Sequence, residues 1–180
     1  LQGLDYPSKP INLYEPISYT LELGGKRVRP VLCLMSSDLF GGDLDSTLHA
    51  ALSLEIFHNF TLLHDDIMDK SPMRRGQASV YRKWNSNIAI LSGDTMFAMA
   101  YEQLFQLDKD TMARVLPIFG RTAIEVCEGQ QYDMNFEMDE NVSISDYLNM
   151  IRLKTAVLLA CSLKAGAMLA NGSDKITTQL

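Results

Sequence analysis

Three aspartates stand close together in the run Leu62-Leu-His-Asp-Asp-Ile-Met-Asp69. On an α-helix with 3.6 residues per turn, Asp65 and Asp69 share a face and Asp66 lies beside them, so the like charges repel one another. A divalent cation removes this repulsion. Mg2+ prefers oxygen ligands, takes one or two carboxylates, and completes its shell with water and substrate phosphates. The spacing therefore predicts a magnesium site that serves a phosphorylated substrate.

A solvated acidic helix face is the alternative interpretation, and for an arbitrary cluster of three acids it is the more common one. The residues just before the aspartates, 52–63, are apolar nearly all round the helix and predict a buried segment. A buried cluster of like charges without compensation is not tolerated. The aspartates are therefore expected to line a cavity or cleft at the end of a buried helix.

Basic residues are concentrated in two short segments, one before and one after the aspartates. The run Gly24-Gly-Lys-Arg-Val-Arg-Pro30 places three cations after two glycines, which let the backbone approach a ligand closely. Lys26 and Arg29 are three residues apart and can point the same way. A short basic cluster alone is more often solvated surface. Together with Arg74 and Arg75, however, it supplies what two diphosphates need, one bound through metal and one held by side chains.

The other titratable residues point to little further chemistry. His58 lies seven residues before Asp65 and shares its face, but a lone histidine in an apolar helix is more often a hydrogen-bonded core residue. The sequence offers no Ser/His/Asp or Cys/His nucleophile set and no glycine-rich nucleotide loop. The chemistry is therefore expected to come from metal and substrate.

The composition is that of an ordinary soluble domain. The 180 residues, 47% hydrophobic and 21% charged, predict a single domain over 1–180. The net charge of -6 argues against a nucleic-acid partner. The sequence has no apolar run long enough to span a membrane and no signal segment at its start, which favours a cytoplasmic location. Cys33, Cys127 and Cys161 are predicted to be buried, reduced thiols.

Helical periodicity recurs throughout and strand signals are nearly absent, which predicts an all-α fold. Short connections predict antiparallel packing of neighbouring helices. Arg74-Arg75-Gly76 is predicted to lie in a loop. The predicted helices run from Ile17 to Leu23, from Pro30 to Phe40, from a cap at Asp45 and Ser46 to Asp69, from Val80 to Trp84, from Ile88 to Leu107, from Thr111 to Asp133, and from Ile144 to Ala170.

The motifs resemble those of the trans-type isoprenyl diphosphate synthases, the all-helical head-to-tail prenyltransferases. Six segments in the family's order carry the resemblance. These segments are Gly24–Pro30 (GGKRxRP), Asp65–Asp69 (DDxxD), Arg74–Gly76 (RRG), Gly93-Asp94 (GD), Gly129–Asp133 (GQxxD) and Lys154-Thr155 (KT). The resemblance implies an antiparallel helical bundle of the isoprenoid synthase type. It also implies a homodimer that condenses isopentenyl diphosphate with an allylic diphosphate into a C15 to C20 product.

The resemblance also implies roles for individual residues. The isopentenyl diphosphate would be held by Lys26, Arg29, His58 and Arg75. The allylic diphosphate would be surrounded by Arg74, Gln130, Lys154 and Thr155. The Mg2+ ions would be bound chiefly by Asp65 and Asp69, with Asp66 orienting metal-bound water.

Two residues on the helix before the aspartates are implied to limit product length. Phe60 and Thr61 lie five and four residues before Asp65, about one turn away. In the resembling family a bulky aromatic residue at the first position shortens the product, so Phe60 implies a C15 or C20 chain. The alternative is that Phe60 is an ordinary core residue, as aromatic residues on buried helices often are.

One part of the family's pattern is absent. No second aspartate-rich motif follows the Lys154-Thr155 pair, and Asn171-Gly172 followed by Ser173–Leu180 indicates the start of another helix. The chain is therefore expected to be a C-terminally truncated synthase that is incomplete on its own. Two alternatives stay open. A non-catalytic diphosphate-binding or regulatory subunit is favoured if Leu180 is the natural terminus. A terpene cyclase needs one diphosphate site, so the first basic segment counts against it.

Overall fold

A computed structural model describes Leu4 and residues 6–170, and these residues are almost entirely helical, which confirms the all-α class. The helices are α1 (Ile11–Glu22), α2 (Val28–Leu39), α3 (Leu44–Met68), α4 (Val80–Lys83), α5 (Ser86–Leu104), α6 (Lys109–Phe136), α7 (Ile144–Ile151) and α8 (Val157–Leu169). A π-helical segment, Arg152–Ala156, joins α7 to α8. The antiparallel strands β1 (Met73–Arg74) and β2 (Gln77–Ala78) form a small hairpin.

Two local predictions are only partly right. Of the segment predicted as a loop, Arg75 and Gly76 form the turn of the hairpin with positive φ, 52° and 79°, whereas Arg74 lies in strand β1. A two-residue turn of this kind matches the twist of paired strands, and strands this short show no periodicity in sequence. The helix predicted from Ile144 to Ala170 is interrupted by the π-helical segment. The predictions for Asn171-Gly172 and Ser173–Leu180 lie outside the described residues.

The start of α3 also differs from the prediction. The side chain that caps this helix is Asp43, whose Oδ2 accepts a hydrogen bond from the backbone N–H of Ser46 at 2.8 Å. Hydrogen bonds from Ser46 lower the pKa of Asp43. A carboxylate before the first turn satisfies amide groups that have no partner within the helix. The predicted cap residues Asp45 and Ser46 are therefore inside the helix.

The described residues divide into two compact units. Unit 1 comprises the residues described up to Arg27 together with Leu52–Gln103, and so contains α1, most of α3, the hairpin, α4 and nearly all of α5. Its core includes Ile17, Leu54, Phe57 and Met96, all at most 1% exposed. The three aspartates lie in this unit, and so do Arg74 and Arg75, the hairpin residues predicted to bind diphosphate.

Unit 2 comprises Val28–Ala51 and the residues described from Leu104 onward. Here α2 packs closely on α8, because a Cβ added to Gly166 would lie 2.1 Å from the Cys33 carbonyl oxygen. Ser36 Oγ also donates a hydrogen bond of 2.7 Å to the carbonyl of Leu163. The prediction of a single domain over 1–180 stays a prediction.

All three thiols are reduced, as predicted, but only two are buried. Cys33 and Cys161 lie in the core of unit 2, and burial raises their pKa to about 12 and about 11. Cys127, on α6, is exposed. The prediction of burial is therefore wrong for Cys127. None of the helices in the described ranges has the length and apolar character needed to cross a bilayer.

Candidate active site

The hairpin brings Arg74 back onto the aspartates at the end of α3. The guanidinium Nε of Arg74 lies 3.0 and 3.2 Å from the two carboxylate oxygens of Asp66. Its Nη2 donates to Asp66 Oδ1 at 2.5 Å and to Asp65 Oδ2 at 3.2 Å. One arginine thus bridges two neighbouring carboxylates, which relieves part of their mutual repulsion.

Local chain geometry explains this arrangement. The backbone N–H of Asp69 bonds to the carbonyl of Asp65 at 2.8 Å, so the aspartates stay on a helical turn. The N–H of Ser71 then bonds to the carbonyl of Asp66 at 2.9 Å, and Pro72 follows. Because proline cannot continue a helix, the chain turns back into the hairpin. Arg74 consequently returns to the helix end that it left eight residues earlier.

The three aspartates have different surroundings. Asp66 is only 3% exposed, and burial raises its pKa although the hydrogen bonds and charge of Arg74 oppose this effect. Asp65 retains 18% of its side-chain exposure, and Asp69 is exposed. Arg74 contacts both oxygens of Asp66 and Oδ2 of Asp65, so the carboxylate most accessible to a cation from solvent is that of Asp69.

Arg75, one residue further on, lies against a different segment. We call residues 24–27 the basic loop. Arg75 Nη1 donates a hydrogen bond to the carbonyl of Gly24, and a Cβ added to Gly25 would lie 2.7 Å from Arg75 Cζ. Lys26 is exposed on the same loop. Burial lowers the pKa of Arg75, and the neighbouring charge of Arg27 lowers it further. Cations from the two basic segments therefore meet within unit 1.

A pocket open to solvent connects these groups. Its lining includes Asp66, Arg74 and Arg75 together with the apolar Leu62 and Leu63. The two arginines that are neighbours in sequence therefore both reach one cleft beside the aspartates. This agrees with the prediction that the end of α3 lies beside a cavity.

The predicted chain-length residues lie on α3 in an aromatic cluster. The ring of Phe60 is 5.5 Å from that of Phe57, 5.2 Å from that of Phe97 on α5, and 4.8 Å from that of His64. Thr61 Oγ1 donates to the carbonyl of His58 at 2.8 Å. Both Phe60 and His58 are half-buried. The roles predicted for Phe60, Thr61 and His58 stay predictions.

The remaining predicted residues lie in unit 2. Lys154, in the π-helical segment, donates a hydrogen bond to Asp133 Oδ2 on α6. Gln130 Nε2 is buried and has no hydrogen-bond partner within the described part of the chain. Such a donor is suited to hydrogen-bond a ligand. Thr155 is exposed, and Arg29 is half-buried on α2. The roles predicted for these residues stay predictions.

The fit of these residues to a metal ion can be judged from their donor atoms. Within the described ranges, no three His, Cys, Asp or Glu side chains converge closely enough to hold a metal ion. Mg2+ needs only one or two carboxylates and takes its other oxygens from water and phosphate. Asp65 and Asp69 supply such hard oxygen donors one helical turn apart. The residues therefore fit a cation that shares its shell with a diphosphate.

Sequence reasoning missed two residues of this region. Arg27 pairs with Glu55, which lies in the middle of α3 and is 2% exposed. A signal was present, because an acid within a helix that is apolar nearly all round has to find a cation when it is buried. Which cation it finds depends on how the basic loop folds against α3.

Comparisons with known proteins show the family of the chain. The polyprenyl synthetase family model matches residues 10–180. The geranylgeranyl diphosphate synthase of Methanosarcina mazei is 40% identical over 175 residues, which is 96% of this chain and 54% of that protein. A crystal structure of a geranylgeranyl pyrophosphate synthase is similar with a TM-score of 0.94 and 48% identity, over 96% of this chain and 53% of that one.

A second solved structure is informative about ligands. The polyprenyl synthase of Caulobacter crescentus CB15, solved in complex with calcium and isoprenyl diphosphate, is 32% identical with a TM-score of 0.88, over 96% of this chain and 52% of that one. The helical fold is thus that of the isoprenoid synthases. The chain belongs to the polyprenyl synthetase family. It spans about half the length of the curated relatives that it matches.

Proposed function

We propose that the protein is a Mg2+-dependent head-to-tail prenyltransferase, which condenses isopentenyl diphosphate with an allylic diphosphate into a short-chain prenyl diphosphate. Its relative from Methanosarcina mazei is named as a geranylgeranyl diphosphate synthase, which supports a short-chain product. The relatives reported above are named as synthases, so nothing favours a terpene cyclase or a regulatory subunit.

The observation that carries this proposal is that the neighbouring residues Arg74 and Arg75 contact different groups. Arg74 is joined to Asp65 and Asp66, whereas Arg75 is joined to the basic loop. Both line the same pocket. Two differently charged surroundings in one cleft suit two diphosphates, one bound beside carboxylates through a cation and one bound by cations alone.

The chain's own residues would bind the diphosphates and stabilise their negative charge. In the proposed reaction the allylic C–O bond breaks, the double bond of isopentenyl diphosphate attacks the allylic carbon, and the released diphosphate accepts the proton that is lost. Arg74 would stabilise the negative charge that develops on the departing diphosphate, because a fixed cation aimed at developing charge lowers the barrier. Lys26 and Arg75 would hold the isopentenyl diphosphate in line for attack.

Mg2+, held by Asp65 and Asp69, would supply further neutralisation of the allylic diphosphate. Asp66 would keep Arg74 oriented as well as accept hydrogen bonds from bound water. The family relationship and a calcium-bound relative support a divalent cation at this site. We also propose that the protein works as a homodimer in the cytoplasm. The resemblance described above supports the dimer.

A prenyl-transfer assay tests the proposal. Residues 1–180 and the full-length product of the gene are each incubated with Mg2+, isopentenyl diphosphate and geranyl diphosphate, and products are sized by mass spectrometry. The expected product from at least one form is a C15 or C20 prenyl diphosphate, and it should disappear when EDTA removes the metal. No product from either form would contradict the proposed function.

A further inference from the structure

The basic loop has a backbone that needs support. Gly24 and Gly25 have φ of 79° and 129°, and Arg27 has φ of 51°. Glycine adopts positive φ readily, whereas an arginine in the left-handed region costs free energy. The conformation of Arg27 therefore has to be stabilised by contacts that its side chain makes elsewhere.

Those contacts turn Arg27 toward the protein. Its Nη1 forms an ion pair with Glu55 Oε1, and its Nη2 donates to the carbonyl of Leu21 at 2.8 Å. The guanidinium thus joins the C-terminal end of α1 to the middle of α3. Lys26, the next residue back, is exposed. Neighbouring cations of the loop consequently have opposite orientations, one inward and one outward.

Glu55 is a buried acid in the middle of α3. Its side chain is 3% exposed, compared with 27% for Arg27, and the same oxygen accepts a hydrogen bond from Asn59 Nδ2 at 2.9 Å. A buried carboxylate is strongly unfavourable unless a cation and hydrogen-bond donors compensate it. Arg27 supplies the cation and Asn59 a donor, both to Oε1, so Glu55 belongs to a buried ion pair rather than one on the surface.

The same anchor bears on Arg75. Arg75 donates to the carbonyl of Gly24 and lies against Gly25, so its position depends on the shape of the basic loop. Its charge is also close enough to those of Arg27 and Glu55 for each to shift its pKa, in opposite directions. Glu55 therefore offsets repulsion between two guanidinium groups as well as holding one of them.

We propose that Arg27 and Glu55 are positioning residues, which fix the basic loop so that Lys26 and Arg75 present their charges to isopentenyl diphosphate while Arg27 itself does not bind it. This inference rests on the proposed function, because it assigns the supporting structure of the same diphosphate site. It adds a buried acid to a site that is otherwise described by its cations.

The charge of Glu55 distinguishes this role from direct binding. If Arg27 were simply a ligand of the diphosphate, removing the nearby negative charge with Glu55→Gln would leave anion binding unchanged or strengthen it. If Glu55 positions the loop, the same substitution weakens binding even though it removes a repulsive charge. The two roles thus predict effects of opposite sign.

The experiment measures two affinities by isothermal titration calorimetry on the form that is active in the prenyl-transfer assay. One titration uses isopentenyl diphosphate alone, and the other uses geranyl diphosphate with Mg2+. Arg27→Met and Glu55→Gln are each expected to weaken binding of isopentenyl diphosphate about tenfold. In the double variant, the loss of binding free energy is expected to be smaller than the sum of the two single losses. The affinity for geranyl diphosphate is expected to change less than about twofold.

Each result has a definite meaning. Unchanged or tighter binding of isopentenyl diphosphate by Glu55→Gln overturns the inference, and so does an equal loss of both affinities, which indicates general damage. If the parent protein does not bind isopentenyl diphosphate, the proposed function itself fails. Should Glu55→Gln not fold, as judged by circular dichroism, Glu55→Asp keeps the charge but shortens its reach. A loss of affinity in that variant supports positioning, and no loss contradicts it.

Discussion

Arg74 and Arg75 are adjacent in sequence yet serve opposite electrostatic surroundings. Arg74 sits in a strand and points toward two carboxylates, whereas Arg75 occupies the first turn position and reaches the basic loop. A turn with positive φ at both central residues separates the directions of neighbouring side chains. The short hairpin therefore places one cation beside the aspartates and another beside the basic loop.

Arg74→Met is expected to destabilise the protein. The substitution leaves Asp66, 5% exposed at its side chain, without its cation, and the expected loss is about 2–3 kcal/mol of unfolding free energy. Urea denaturation followed by circular dichroism measures it. Arg121→Met is a matched control, since Arg121 is 63% exposed and pairs with Glu125 at 3.4 Å. It should cost under about 0.5 kcal/mol. Equal losses in both variants would contradict the importance of the Arg74 bridge.

Gly25→Ala is expected to weaken binding of isopentenyl diphosphate by displacing Arg75. The new Cβ would lie 2.7 Å from Arg75 Cζ, whereas a Cβ on Gly24 meets nothing within 4 Å. Alanine is strained at both positions, since φ is 79° at Gly24 and 129° at Gly25, and Gly24→Ala is the paired variant that lacks the contact with Arg75. Calorimetric titration should show an affinity about fivefold lower for Gly25→Ala than for Gly24→Ala. Similar affinities would show that the position of Arg75 is unimportant.

At the scale of elements, a close approach between the backbones of α6 and the π-helical segment fixes the position of Lys154. The π-helical turns of Arg152–Ala156 pack on α6 at Gly129, where an added Cβ would lie 2.3 Å from the backbone nitrogen of Lys154. Lys154 then reaches Asp133, one turn further along α6. π-helical turns inside helices are rare and often occur at functional sites. Gly129 thus permits a helix contact that no larger residue allows.

Gly129→Ala is expected to destabilise unit 2, because the clash is with backbone atoms that cannot rotate away. Overpacking of this kind costs about 1–3 kcal/mol, which outweighs the better helix propensity of alanine. Thermal unfolding monitored by circular dichroism measures the change. Glu128→Ala, at an exposed position of the same helix, should leave the melting temperature nearly unchanged. A Gly129→Ala protein as stable as the parent would contradict the described packing of α6.

Phe60→Ala is expected to lengthen the product by at least one isoprene unit. The substitution opens a space in the cluster that Phe60 forms with Phe57 and Phe97, along the helix below the aspartates. Mass spectrometry of the products of the prenyl-transfer assay measures chain length. Phe105→Ala, which removes a 58% exposed ring elsewhere, is the control. Unchanged product length in Phe60→Ala would assign Phe60 to the core alone.

At the scale of the whole molecule, each unit has its own core and its own chemistry. Unit 1 holds the aspartate turn, the hairpin and the basic loop, while unit 2 holds the Lys154 segment and the two buried thiols. Within unit 2, Cys33 lies on α2 and Cys161 on α8, and each thiol contributes to packing rather than to reactivity. Burial holds both in the neutral form, since a thiolate is disfavoured in apolar surroundings.

The stability of unit 2 is therefore expected to fall as pH rises from 9 to 11. Above the ordinary thiol value of 9.0, the unfolded state loses a proton that the folded state keeps, because burial raises the pKa of Cys33 to about 12 and that of Cys161 to about 11. Each thiol adds a slope of up to about 1.4 kcal/mol per pH unit. Urea denaturation at several pH values measures it.

The control for this pH effect is a difference between variants, because other groups titrate in the same range. Cys33→Ala should reduce the slope of unfolding free energy against pH more than Cys127→Ala does, because Cys127 is exposed, although partial burial raises its pKa as well. Equal slopes in both variants would show that burial of Cys33 does not link its ionisation to folding.

The sequence was sufficient for the fold class and for proposing which residues could form the candidate site. Helical periodicity is a local property, so the long helices α3, α5 and α6 were predictable to within a few residues. The aspartate turn was predictable for the same reason, because neighbours on one helix are set by 3.6 residues per turn. The basic residues were visible as clusters, and their types already indicated anionic ligands.

Tertiary structure decided which of these charged groups meet. Nothing local could show that Arg74 pairs with Asp66 while Arg75 meets Gly24, because that choice depends on a turn only two residues long. Nor could periodicity identify Arg27 as the partner of Glu55, since the two are 28 residues apart and meet through folding. Sequence thus determined the inventory of charges and helices. Long-range packing determined their pairing, because burial and distance between remote residues exist only in the folded chain.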